Sequence, residues 1–101
     1  MTTKSAFTLF RGAAATSSTT LYTSPASVAV CITNIAIAND TGGSLTASLS
    51  LGGIPFLTGF TVAANTTTFL TPEQVIYNGE VIAGSASSTA VDFHIAGFEV
   101  Y

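Results

Sequence analysis

The chain is 101 residues long, 48% hydrophobic and 7% charged, with a formal net charge of −3 and a mean hydropathy of +0.58. Lys4 and Arg11 are its only lysine and arginine, so from Gly12 onward no permanent cation can grip phosphate, acidic lipid or a nucleic acid backbone. The length allows one domain with one core. Charge this sparse, against about 25% in an ordinary soluble domain, favours a surface buried against other protein.

Thr, Ser, Val, Ile and Phe dominate and helical periodicity is missing, so the chain reads as strands. Phe7 and Leu9 share a face in a first apolar strand, and residues 1–11 are read as an N-terminal strand or arm. Residues 12–20 (GAAATSSTT) form a low-complexity loop, and residues 21–101 form the body of the domain. An apolar strand follows in which Val28, Val30 and Ile32 share one parity and Ile35 and Ile37 the other. The switch at Thr33-Asn34 predicts a β-bulge or bend. Asp40-Thr41-Gly42-Gly43 is a turn, with Asp40 as its Asx residue. Leu45, Ala47, Leu49 and Leu51 then alternate with Thr46, Ser48 and Ser50 as a half-buried strand, and Gly52-Gly53 closes it.

Ile54, Phe56, Phe60 and Val62 share a parity in the next strand, which Ala64-Asn65 ends. Asn78-Gly79 stands between Val75-Ile76-Tyr77 and Glu80-Val81-Ile82 and is the strongest hairpin signal in the chain, since both residues tolerate positive φ. In the last strand Val91, Phe93 and Ile95 give way to Phe98 and Val100, predicting a second bend at Ala96-Gly97. Six to eight such strands make a single antiparallel β-sandwich or jelly-roll-like domain.

No apolar run is long enough for a membrane helix: residues 28–38 are broken by Thr33 and Asn34 and fall short of about 20 residues. The first 20 residues lack the basic start and apolar stretch of a signal peptide. Neither a membrane nor a nucleic acid partner is expected. Cys31 is the only cysteine, which excludes an intrachain disulfide and a cysteine-based zinc set.

The stretches LYTSPASVAVCITNIAIANDTGGSLTASLSLGGIPFL, VAANTTTFL and VDFHIAGFEVY resemble small β-sandwich structural proteins of tailed-bacteriophage virions, of the head decoration (cement) or tail and fibre accessory type. The resemblance spans about residues 20–101 and lies in the order of strands and turns. It departs where the family's Gly-Asp turn is replaced by Asn78-Gly79-Glu80. It implies a virion protein assembled in the host cytoplasm, partnered by other virion proteins, the major capsid protein foremost, and by itself as a homo-oligomer, with a trimer favoured. Tail, neck or fibre accessory protein is the alternative position, and a carbohydrate- or receptor-binding module is the alternative function.

Chemistry is thinly represented. Asp92 and His94 share a strand face, but no nucleophile-elbow sequence accompanies them. Asp40, Glu73, Glu80, Asp92 and Glu99 are scattered singly and lack the spacing of a calcium loop, and Glu73 with Glu80 has no support as a glycosidase pair. The expectation is a non-enzymatic protein with no catalytic, cofactor-binding or metal residues and no cofactor. Phe7, Leu9, Phe10 and Tyr22 are the interface candidates, and Tyr22, Tyr77 and Phe10 are the candidates for stacking on a sugar.

Overall fold

The computed structural model describes residues 4–100, with side-chain surroundings from Thr8 onward. These residues contain no helix and form nine strands: β1 (Lys4–Ala13), β2 (Thr19–Thr23), β3 (Ala29–Asn39), β4 (Leu45–Leu51), β5 (Ile54–Val62), β6 (Thr66–Leu70), β7 (Gln74–Tyr77), β8 (Val81–Ala86) and β9 (Val91–Val100). All pairings are antiparallel, and apart from β3 with β9 and β4 with β8, which complete the sheets, they are nested. Strand β1 pairs β9, β2 pairs β8, β3 pairs both β6 and β7, and β4 pairs β5. The chain is thus one long hairpin folded over on itself, doubled back at Gly52-Gly53, where both glycines have positive φ.

Successive pairs alternate between two sheets. The larger has the order β1-β9-β3-β6, with β7 also on β3, and the smaller has the order β2-β8-β4-β5. Strands β6 and β7 share one lane, on Ile35–Asn39 and Ala29–Ile32 of β3 respectively. Eight lanes in two such sheets make a jelly roll. The core between them is aliphatic around Phe93, with Val30, Ile32, Ile35, Ile37, Leu49, Ile82 and Ile95 also fully buried. Each such burial stabilises by about 1.5–3 kcal/mol relative to exposure.

The bulge in β3 falls where the phase change predicts it. Ile32 faces Gly97 and Asn34 faces Ala96, leaving Thr33 as the inserted residue, with its hydroxyl donating to the Ala96 carbonyl at 3.3 Å. The second predicted bend is not in β9. That strand alternates without interruption through Val91, Phe93, Ile95 and Gly97, all buried. Its two neighbours carry the insertions instead, Thr33 on β3 and Leu9 on β1. Phe98 and Val100 consequently face outward from the sheet. Gly97 is required at this level, because a Cβ there would overlap the Cys31 carbonyl oxygen.

The Asn78-Gly79 turn forms, with φ of 52° and 87° and the Glu80 N–H donating to the Tyr77 carbonyl at 3.2 Å. It does not make a hairpin. The Tyr77 N–H is taken by the Glu80 carboxylate at 2.8 Å, and the Glu80 carbonyl accepts from the Ser24 N–H at 2.9 Å. The second ladder bond is therefore spent, and β7 joins the larger sheet while β8 joins the smaller. The β2–β3 connection crosses at the same corner and is bound to this turn through buried Ser24 and through Ser27, whose N–H donates to Asn78 Oδ1.

At the opposite end Asn39, not Asp40, is the Asx residue. It is 1% exposed; its Nδ2 lies 2.8 Å from the Gly43 carbonyl and 3.0 Å from that of Val62, while its Oδ1 accepts from the Thr41 N–H. Asp40 is exposed. The loop read over residues 12–20 is shorter in the structure, since β1 runs to Ala13 and β2 starts at Thr19. Ala14 between them is a core residue.

Candidate functional site

The two outer faces of the sandwich differ in chemistry. On the smaller sheet Ser48 stands opposite Ser85 and Ser50 opposite Ala83, and with Ser18, Pro55 and Leu57 they line a hollow of about 200 Å³. The outer face of the larger sheet is divided by the Thr33 bulge, at the level where β7 gives way to β6.

Below the bulge, towards the Asn78-Gly79 corner, the outward rows are apolar across β7, β3 and β9, and on β1 the register sets Lys4 opposite Val100. Cross-strand register aligns Val75, Cys31 and Phe98 in one row and Tyr77, Ala29 and Val100 in the next. Val75 is 60% exposed and Tyr77 51%, on an edge strand where no other element covers them. Cys31 is a free, half-buried thiol within this patch.

Above the bulge the rows are mixed. Phe69, Ala36, His94 and Arg11 lie side by side across four strands, flanked by Asn34 and Ala96 on one side and Thr67 and Ala38 on the other. They enclose a groove of about 370 Å³ with an alanine floor. Phe69 is 68% exposed. Asp92 and His94 share this face, as the alternation of β9 requires, but among the described residues no hydrogen bond joins them and Arg11 has no ion pair. The described residues hold no group of three His, Cys, Asp or Glu able to bind a metal ion.

Of the residues singled out in the sequence as interface candidates, Leu9, Phe10 and Tyr22 do not lie on this face. The side chain of Phe7 lies outside the described residues. Leu9 is 7% exposed and belongs to the core, because the bulge that inserts it turns both Leu9 and Phe10 inward. Phe10 is half-buried against that core. Tyr22 packs on it from the smaller sheet, and its hydroxyl donates to Glu99 Oε2 at 3.2 Å, tying the two sheets together. Burial foremost, then the Glu99 hydrogen bond and charge, pushes the Tyr22 phenol up to about 12.

The outward placement of Phe69 follows from the alternation of its own strand. In Thr66-Thr67-Thr68-Phe69-Leu70 adjacent positions face opposite ways, so Phe69 and Leu70 cannot both enter the core. Leu70 does, and Phe69 is left outside. No protein-family model, curated protein or solved structure matches this chain.

Proposed function

We propose that this protein is a non-enzymatic structural component of a tailed-bacteriophage virion, a capsid decoration protein that binds and stabilises the assembled shell. A tail, neck or fibre position is the alternative within the same reading. The observation that carries the proposal is the exposure of Val75 and Tyr77 on edge strand β7, in register with half-buried Cys31, Phe98 and Val100, on a chain with almost no charge. An interface centred on β7, β3 and β9 desolvates few ions and so largely avoids the penalty that buried charges incur. At about 25 cal/mol per Å², several hundred Å² of buried apolar area gives several kcal/mol gross, before the costs of association. Repetition over many equivalent sites makes that term significant for a shell.

The partner under this reading is the major capsid protein, with a homotrimer as the docking unit and β7 at the contact. Quantitative mass spectrometry of purified particles tests it. Hundreds of copies per particle identify a shell protein, and a dozen or fewer a neck or tail protein. Absence from particles of a phage that encodes and expresses it rejects the reading.

A further inference from the structure

We propose that the groove above the bulge is a binding site for a carboxylated sugar, a hexuronate or sialate unit of an acidic glycan. Arg11 is the only arginine of the chain, and cross-strand register sets it directly opposite His94, on a protein whose net charge is −3. Its guanidinium has no ion pair among the described residues, so its fork of donors is available to a carboxylate. On the other side of the groove stands Phe69, an exposed aromatic ring that no core packing explains. Strands lie about 4.8 Å apart, so His94 and Phe69, two strands apart across Ala36, are separated by about 10 Å at their Cα atoms. Ala36 and Ala38 between the walls leave that width open, and the resulting volume of about 370 Å³ lies within the range of small-molecule sites, roughly 300–1,000 Å³.

The surroundings select a sugar over other anions. Asn34, Thr8 and Thr67 border the groove with amide and hydroxyl groups, which pair with sugar hydroxyls, while the Phe69 ring offers an apolar platform. An acidic peptide is disfavoured, because the groove lies over β3 and β9. Both strands are paired on both edges and have no free backbone ladder for an added strand. A nucleic acid would need several phosphate contacts, and one arginine supplies few. This site is separate from the apolar half-face, so it stands or falls independently of the assembly reading.

The test is titration of the ¹⁵N-labelled protein with trigalacturonate and with 3′-sialyllactose, using maltotriose and tetraglutamate as controls. The expected result is binding of at least one acidic sugar, with amide shifts centred on Asn34, Thr67, Phe69 and His94; which sugar binds identifies the acid. Arg11→Gln and Phe69→Ala, both at exposed positions, should each weaken binding about tenfold or more, or 1.4 kcal/mol, with an unchanged melting temperature. No shifts with either acidic sugar at millimolar concentration would overturn the proposal. So would an equal response to maltotriose or tetraglutamate, shifts mapping elsewhere, or unaltered affinity in both variants.

Discussion

Three residues hold this fold at points where no apolar pattern reaches. Gly97 lets β9 approach β3 closely enough for the bulge to form, and Gly97→Ala must push the Cys31 carbonyl aside. We expect a loss of about 1–3 kcal/mol, typical of overpacking, read as a lower urea midpoint. Asn39→Ala removes the group that satisfies the carbonyls of Gly43 and Val62 and the N–H of Thr41. Leaving buried polar groups unpaired costs about 1–3 kcal/mol, and the Asp40-Gly43 turn should exchange its amides faster in the variant. Tyr22 gives a pH signature. Its phenol titrates near 12 in the folded protein and near the ordinary 10 when unfolded. The folded state therefore holds the proton more tightly, and the resulting stabilisation is complete below pH 10 and lost as pH rises towards 12. Urea titrations should show that decline in the native protein and a flatter profile over the same window in Tyr22→Phe. None of the three roles is visible in composition or periodicity, because each depends on which backbone atoms of distant strands come together.

At the scale of elements, periodicity alone revealed most strands and the Thr33 bulge, since a phase change needs an inserted residue to keep the aliphatic side inward. It misplaced the second bend. A strand between two bulged neighbours shows an apparent shift at its end merely because its last residues, Phe98 and Val100, leave the core and remain apolar. Asn78-Gly79 fixed the turn but not its partners, because local φ preference does not decide which sheet each flank joins. The N-terminal segment illustrates the same limit. Strand β1 pairs with β9 from Lys4 to Ala13 and contributes Leu9 and Phe10 to the packing of its own sandwich. Deleting residues 1–11 should strip the full burial of Leu9, about 1.5–3 kcal/mol, part of a second at Phe10 and the β1–β9 ladder, from a domain with roughly 5–15 kcal/mol to lose. The expected outcome is a broad or absent thermal transition in near-ultraviolet circular dichroism. A truncated protein that melts as sharply as the full chain would make β1 a dispensable arm.

At the scale of the whole molecule, the sandwich measures 48 × 21 × 17 Å and presents unlike surfaces on its two broad sides, serine and threonine on one and apolar or mixed groups on the other. That asymmetry, hidden in the sequence because inner and outer positions alternate, separates the assembly reading from a featureless hydroxyl surface. Contact through the apolar half-face releases few counterions, so self-association measured by sedimentation should change little between about 50 and 500 mM NaCl, a range in which screening shortens steeply. Val75→Lys places an ammonium within that surface, where association would have to desolvate it. Because Val75 is largely exposed in the single chain, the variant should keep the native melting temperature while its association weakens about tenfold or more, the effect of 1.4 kcal/mol. The hydroxyl face supplies the control: Ser85→Lys, opposite Ser48 on the smaller sheet, should leave association unchanged. Equal loss in both variants, or a steep salt dependence in the native protein, would move the contact away from β7 and towards the charged end of β1.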